Sequence, residues 1–249
     1  MKITLQHQNK NYHIDLDEPI DISIPLKAGS QNVNAWYCAP VKIEPVEMGN
    51  WVGDVNRGGS VNFRNVFLNP HGNGTHTECV GHISKENYTL NQNLKTFFFM
   101  TEVITIQPEK QGEDFVITSQ QLQQKCRHEN IEALVIRTVP NKDEKLTHHY
   151  SNTNPPYLHH EGAEWMVQQG IKHLLLDLPS VDREKDDGKL LAHHAFWKYP
   201  AATRLDCTIT ELIFVPDHVE DGLYLLNIQI TSLENDASPS KPVLYKLGV

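Results

Sequence analysis

The sequence predicts a mixed α/β fold with several strands and with helices outside the sheet. Three observations predict it. Short apolar runs typical of strands recur along the chain, and two helix patterns each lead into such a run. The length of 249 residues also suits one domain of this class. We therefore expect a single domain over residues 1–249.

Strands are predicted from runs of β-branched, aromatic and other apolar residues. In chain order, these runs lie at 12–16, 20–24, 97–106, 133–139, 173–178, 211–216 and 223–231. The polar segment TSLENDASPSKP at 231–242 predicts a surface loop.

Two segments predict helices. In EGAEWMVQQGIKH, residues Ala163, Met166 and Val167 share a face, and Gly170 stands where a helix commonly ends in a left-handed residue. The segment TSQQLQQKC, at 118–126, opens with a threonine and a serine, and either could cap the helix.

Composition excludes several classes of partner. The formal net charge of −9 offers no basic surface for nucleic acid or an anionic membrane. No apolar run approaches the roughly 18 residues of a spanning helix, and the N-terminal segment lacks the apolar core of a signal peptide. The four cysteines form no CxxC pair, which is typical of reduced thiols. We therefore expect a cytoplasmic protein.

The densest cluster of ligand-type residues is HGNGTHTECVGH, at 71–82. If residues 75–82 are extended, His76, Glu78 and His82 point to one side, because alternate residues of a strand share a face. Imidazole and carboxylate groups suit zinc or manganese. Any one of these residues alone would usually be a solvated loop residue, so the prediction of a metal site depends on their register.

His71 breaks this alternation, because it lies five positions before His76. A bulge at Gly72 and Gly74 would add one residue and return His71 to the shared face. On this interpretation, the glycines let the ligands converge.

Two later segments contain further candidates. His193 and His194 would lie on opposite sides of a strand or about 100° apart on a helix, so at most one is expected to be a ligand. Glu211 is expected at the start of a strand, where an inward-facing carboxylate needs a partner such as a metal ion. The alternative is an ordinary surface glutamate.

The chain resembles the metal-dependent cyclase family, which includes kynurenine formamidases and isatin hydrolases. HGNGTHTECVGH resembles the family signature H-x-G-T-H-x-D-x-P-x-H. Further segments resemble family motifs in the same order: IDISIPL, ALVIRT, GAEWMVQQGIKHLLLDLPSVD, AHHAFW and TELIF. Three positions depart from the pattern: Gly72 stands where the family has a histidine, Glu78 where it has aspartate, and Val80 where it has proline.

The resemblance implies a swivelling β/β/α fold with a mixed sheet and outer helices. It also implies a hydrolase that cleaves a carbon–nitrogen bond of an amide, formamide or lactam with water activated by Zn²⁺ or Mn²⁺, using one or two ions per subunit. His71, His76 and Glu78 would then be metal ligands, and His82 would be the catalytic residue. One of His193 and His194 would hold a second ion with Glu211, and Glu78 would bridge the two ions.

The resemblance further implies a small-molecule substrate and a homodimer or homotetramer. The aromatic side chains before the metal motif could line a pocket for an aromatic substrate or belong to an ordinary core. They are Trp36, Tyr37, Trp51, Phe63 and Phe67. Two alternative functions stay open: a non-catalytic metal- or ligand-binding member of the same fold, and a metal-dependent lyase.

Overall fold

Many short strands and a few short helices make up the chain. The structure, a computed structural model, describes residues 1–248. Within that range the strands are β1 Lys2–His7, β2 Lys10–Asp15, β3 Ile20–Asp21, β4 Lys42–Pro45, β5 Glu47–Met48, β6 Trp51–Val52, β7 Arg64–Phe67, β8 His76–Glu78, β9 Phe98–Ile106, β10 Glu109–Gln111, β11 Asp114–Ile117, β12 Ala133–Thr138, β13 Tyr157–Leu158, β14 His173–Leu176, β15 Thr208–Glu211, β16 Gly222–Ile230 and β17 Ala237–Lys246. The α-helices there are α1 Leu90–Asn93, α2 Ser119–Lys125, α3 His160–Gln168 and α4 Leu191–Trp197.

The main sheet closes on itself. Its strands pair in the order β16, β9, β12, β14, β15, β8 and β17, and β17 pairs back with β16. Strands β9, β12, β14 and β15 run parallel, whereas the pairings made by β8, β16 and β17 are antiparallel. Because the ring is closed, β8 lies between β15 and β17, and three distant parts of the sequence meet around it.

Both faces of the parallel strands are buried. In β12, Leu134 packs with Leu122 of α2 and Met166 of α3. Its neighbour Val135 packs in a second apolar cluster with Leu226 of β16. Burial on both faces explains why this strand reads as a continuous apolar run.

Both predicted helices are present. The N-cap of α2 is Thr118, whose Oγ1 accepts a hydrogen bond from Gln121 N while Gln121 Oε1 accepts one from Thr118 N. Helix α3 ends shortly before Gly170, which has a φ of +79°. Within residues 1–248 no helix has the length and apolar character needed to cross a membrane. The prediction of a mixed α/β fold with a mixed sheet and outer helices is confirmed.

Two strand predictions and one loop prediction need correction. The strand predicted at 211–216 instead occupies Thr208–Glu211 and stops where Leu212 adopts a left-handed φ of +54°. The strand predicted at 20–24 is limited to Ile20–Asp21, because Ile24 N donates to the side chain of Thr75 and not to a neighbouring strand. The surface loop predicted at 231–242 is shorter than expected: residues 231–236 form a loop, but β17 begins at Ala237 and lies inside the main sheet.

Candidate metal centre

Strand β8 brings His76 and Glu78 into the interior. It pairs with β15 so that His76 lies opposite Glu211, and the side chains of both β8 residues are buried. Thr77, between them, faces the other way, with Oγ1 2.8 Å from Thr210 Oγ1. The alternation expected for an extended strand therefore places His76 and Glu78 on one face.

His71 lies in a turn before β8, and the predicted bulge is wrong. A bulge requires a continuous partner strand, whereas residues 70–75 form turns and bends. Asn69 organises them, because its Oδ1 accepts hydrogen bonds from His71 N at 2.9 Å and Gly72 N at 3.2 Å. Gly74 has a φ of +129°, a backbone conformation that favours glycine, as the interpretation of this segment required.

Gly72 serves close packing. A Cβ at Gly72 would lie 2.4 Å from Cys38 Sγ and 2.8 Å from Ala35 O. The turn packs tightly against residues 35–38 and delivers His71 to the strand, with His71 Nδ1 3.0 Å from Glu78 Oε2.

His82 lies on a 3₁₀ helix that spans Val80–His82. The extended segment predicted for 75–82 therefore ends at Glu78, and the alternation does not explain how His82 is placed. Its Nδ1 is nevertheless 3.8 Å from Glu78 Oε2 and 3.5 Å from Asp236 Oδ2. About a third of its side chain, 31%, is exposed.

The adjacent histidines of α4 have different surroundings. His193 Nε2 lies 3.3 Å from Glu78 Oε1, and its Nδ1 lies 2.6 Å from Asp182 Oδ2. His194 instead places Nδ1 3.0 Å from Tyr199 O and stacks on the Tyr199 ring. The structure therefore brings His193 to the cluster and does not bring His194 there, because the helix turns successive side chains in different directions.

Glu211 lies at the end of β15, not at a strand start as predicted. Its Oε1 accepts a hydrogen bond from Val181 N at 3.0 Å, and its Oε2 is 3.4 Å from His76 Nε2. Its carboxylate faces inward, as one of the two interpretations of the sequence required.

Two further carboxylates belong to the cluster and were not predicted. Asp182 contacts His193, and Asp236 Oδ2 lies 2.9 Å from His71 Nε2. Asp182 is the last residue of the family-like motif DLPSVD, so the motif could have identified it. Asp236 lies in the polar segment predicted to be a surface loop, and nothing local distinguishes it.

Three buried atoms at the centre of the cluster are unpaired. Within residues 1–248, His76 Nε2, Glu78 Oε1 and His193 Nε2 have no hydrogen-bond partner of acceptable geometry. Leaving each such buried polar atom unsatisfied costs about 1–3 kcal/mol. A cation among them would remove this cost.

The donor atoms also fit a cation by their chemistry and spacing. Ligand atoms lie within 4.8 Å of one another in three groups of this site: His71, His76 and Glu78; Glu78, His82 and His193; and His71, His82 and Asp236. Glu78 belongs to the first two groups. Nitrogen and oxygen donors in this combination suit zinc or manganese. The residues therefore fit one or two divalent ions.

The carboxylates favour positive charge at this position. Burial alone would lower the pKa of His71, but hydrogen bonds with Asp236 and Glu78 raise it to about 10. Burial likewise opposes protonation of His193, yet Asp182 and Glu78 raise its pKa to about 10. Burial would raise the pKa of Glu78, but the surrounding histidines hold it well below its usual range.

A cavity of about 390 Å³ opens onto the cluster. His71, His82, His193 and Glu211 contribute to its lining together with Trp36. Of the aromatic side chains predicted to line a pocket or a core, Trp36 thus lies at the cavity. Tyr37, Phe63 and Phe67 are exposed and do not belong to the core, and Phe67 lines a separate cavity.

Comparisons with known proteins connect this geometry to a family. A family model described as a putative cyclase matches residues 20–183. A kynurenine formamidase from Bacillus anthracis is 27% identical over 213 residues, which cover 80% of this chain and 91% of the relative. A kynurenine formamidase from Bacillus cereus is 27% identical over 238 residues, which cover 91% and 97%.

Solved structures share the fold. An isatin hydrolase bound to the product analogue thioisatinate superposes with a TM-score of 0.66 at 14% identity, covering 92% of each chain. A potential metal-dependent hydrolase with cyclase activity gives a TM-score of 0.66 at 14% identity, covering 92% of this chain and 97% of the other. The predicted cyclase-like fold and the resemblance inferred from the motifs are confirmed. The chain belongs to the putative cyclase family.

Proposed function

We propose that this chain is a metal-dependent hydrolase that cleaves a carbon–nitrogen bond other than a peptide bond, in a formamide, an amide or a lactam. The observation that carries the proposal is the group of unpaired buried atoms on His76, Glu78 and His193, beside a cavity that His71, His82, His193 and Glu211 line. The names of the relatives, kynurenine formamidase and isatin hydrolase, support this type of reaction.

In the proposed site, His71, His76 and Glu78 would hold one ion. His193 and Glu211 would hold a second, with Glu78 shared, because its two oxygens face different histidines. We propose zinc or manganese, which the nitrogen and oxygen donors support. When bound, a divalent ion supplies a Lewis acid that lowers the pKa of water and polarises a substrate carbonyl group.

His82 is proposed to move the proton. Its side chain lines the cavity, and its Nδ1 faces Asp236, so that Nε2 is the nitrogen available to a substrate. As a general base, His82 would take a proton from the attacking water, and as a general acid it would return the proton to the leaving nitrogen. Such proton transfer is typically worth about 10²- to 10⁴-fold in rate.

We further propose an aromatic small-molecule substrate. The cavity volume of about 390 Å³ lies within the range of small-ligand sites, and Trp36 offers an aromatic surface at its wall. An aryl formamide or a lactam fused to an aromatic ring would fit this description.

The test is turnover by the purified protein. Aryl formamides and lactams should be hydrolysed, a chelator should abolish the activity, and Zn²⁺ or Mn²⁺ should restore it. Replacing His82 with Ala should retain the metal and remove most turnover. As a control, chelator-treated wild-type protein is given Mg²⁺, which should not restore the activity.

Other outcomes distinguish the alternative functions. Metal binding without turnover of any amide would favour a binding protein, and a product without oxygen from labelled water would favour a lyase. Either result would overturn the proposed hydrolase.

A homodimer or homotetramer is also proposed. Exposed apolar side chains on the segment that contains β5–β7 support it, because large exposed apolar patches commonly mark interfaces. They are Met48, Val55, Val61, Phe63, Val66 and Phe67. Light scattering should give a mass of two or four times 28.4 kDa, and a monomer at micromolar concentration would contradict the proposal. The expected cytoplasmic location also stays a prediction.

A further inference from the structure

Asp236 connects two histidines of the site. It lies on the loop between β16 and β17, 165 residues from His71 in sequence. Its Oδ2 is 2.9 Å from His71 Nε2 and 3.5 Å from His82 Nδ1. One carboxylate oxygen thus faces both a proposed metal ligand and the proposed catalytic residue.

We propose that Asp236 is a positioning residue that fixes the orientation and the tautomer of both histidines. By accepting a hydrogen bond from His71 Nε2, it leaves His71 Nδ1 free to bind a metal ion. Its negative charge 3.5 Å from His82 Nδ1 favours a proton on that nitrogen and leaves His82 Nε2 as the basic nitrogen at the cavity. This inference rests on the proposed metal-dependent function.

The other histidines of the cluster are held in a similar way. His76 Nδ1 lies 2.9 Å from Gly74 O, and His193 Nδ1 lies 2.6 Å from Asp182 Oδ2. In both, the opposite nitrogen is the unpaired buried atom that faces a carboxylate of the cluster. A metal-binding histidine commonly donates its second nitrogen to a carboxylate or a carbonyl group, which sets its tautomer. Asp236 is the corresponding acceptor for His71.

His71 has a particular need for such an acceptor. His76 lies on a strand and His193 on a helix, and their side chains are almost fully buried. His71 lies in a turn, one position away from the family spacing, and 21% of its side chain is exposed. Packing therefore constrains its ring less, and the hydrogen bond to Asp236 supplies the missing constraint.

The geometry favours this role over direct metal binding by Asp236. His71 Nε2, which faces Asp236, cannot donate a hydrogen bond and bind an ion at once, and His71 Nδ1 already faces Glu78. The unpaired buried atoms of the cluster, His76 Nε2, Glu78 Oε1 and His193 Nε2, lie on the Glu78 side, where an ion is needed. The side chain of Asp236 already has two partners.

The loop keeps its place without this side chain. Backbone hydrogen bonds hold it, with Cys79 N donating to Asp236 O at 3.0 Å and Leu90 N donating to Asn235 O at 2.8 Å. Substitutions at Asp236 therefore test the carboxylate and leave the fold in place. Glu234 offers a matched control, because it lies on the same loop and accepts from Thr89 and Asn91, away from the cluster.

The experiment compares wild type, D236N, D236A and E234Q by zinc competition with a chelator and by the absorption spectrum after Co²⁺ substitution. D236A should bind zinc about 10- to 100-fold more weakly with unchanged stoichiometry, and its cobalt spectrum should change. D236N retains a neutral acceptor and should fall between wild type and D236A. At saturating zinc, kcat should stay reduced in D236A because His82 is also less constrained, whereas KM should change little. E234Q should match the wild type throughout.

Each remaining outcome is decisive. Loss of one ion per subunit in D236A and D236N would make Asp236 a ligand and overturn the positioning role. Wild-type affinity and spectrum in both variants would overturn it while leaving the proposed hydrolase intact. A wild-type protein that binds no metal would overturn the proposed function and this inference with it. If D236A fails to fold, judged by its melting curve in chelator, D236N supplies the same readouts.

Discussion

At the scale of single residues, the site depends on which way each side chain points. His193 and His194 are neighbours on α4, yet His193 faces Glu78 and Asp182 while His194 packs on Tyr199. The sequence limits the ligand to at most one of them, because adjacent helical residues point about 100° apart. Choosing between them requires the position of the helix in the fold.

We therefore predict opposite results for two matched substitutions. His193→Ala should remove a proposed metal ligand, lower the metal content of the purified protein and reduce kcat/KM by about 100-fold. His194→Ala should keep the metal content and most of the activity, because its contacts lie outside the cluster. Elemental analysis and steady-state kinetics measure both. Equal losses in the two variants would contradict the assignment of His193.

At the scale of elements, the turn before β8 determines where His71 lies. Asn69 caps this turn, and Gly72 allows it to pack against residues 35–38. The turn places the His71 side chain beside Glu78, whereas strand alternation places His76 and Glu78 on one face.

Gly72→Ala should weaken metal binding, because the new Cβ would lie 2.4 Å from Cys38 Sγ and 2.8 Å from Ala35 O, and the turn with His71 must move. A misplacement of about 1 Å can reduce activity about 10²-fold. Isothermal titration with Zn²⁺ measures the change. Gly112→Ala is the control, since Gly112 has a φ of +64° on a turn far along the chain and its replacement should lower stability only. Unchanged zinc affinity in Gly72→Ala would refute this account.

Local patterns predict the elements that depend on local physics. The capped helix α2, the buried strand β12 and the shared face of His76 and Glu78 all follow from periodicity and capping. Local patterns do not predict the elements whose conformation depends on tertiary contacts. Leu212 ends β15 in a left-handed conformation that its side chain does not favour, and the polar segment around Ser238 becomes a strand because β8 and β16 lie on either side of it.

The same distinction applies to the site. The motif around residues 71–82 predicts which residue types gather there, because ligand donors at close spacing are unusual in sequence. It does not predict Asp236, which reaches His71 only because β17 pairs with β8. A contact that joins residues so distant in sequence has no local signature.

At the scale of the whole molecule, closure of the sheet both assembles the site and buries polar groups elsewhere. His173, on β14, is one of them: its ring lies against Phe99 with centroids 3.9 Å apart, and its Nδ1 is 2.9 Å from Thr208 Oγ1. Burial lowers the pKa of His173 from its ordinary value of 6.5 to about 3. The folded protein therefore keeps this histidine neutral at pH values where an unfolded chain would protonate it.

The stability of the fold should consequently fall in acid. Between about pH 6.5 and pH 3 the unfolded state binds a proton at His173 that the folded state does not, so the free energy of unfolding decreases as the pH falls, by up to about 1.4 kcal/mol per pH unit. Above pH 6.5 this contribution is constant.

His173→Gln keeps a donor for Thr208 and removes the titrating group. In urea unfolding from pH 7.5 to 4.5, its free energy of unfolding should therefore decline less steeply than that of the wild type. His218→Gln, at an exposed histidine, is the control and should decline like the wild type. Parallel declines in the wild type and His173→Gln would show that proton uptake at this buried ring does not limit acid stability.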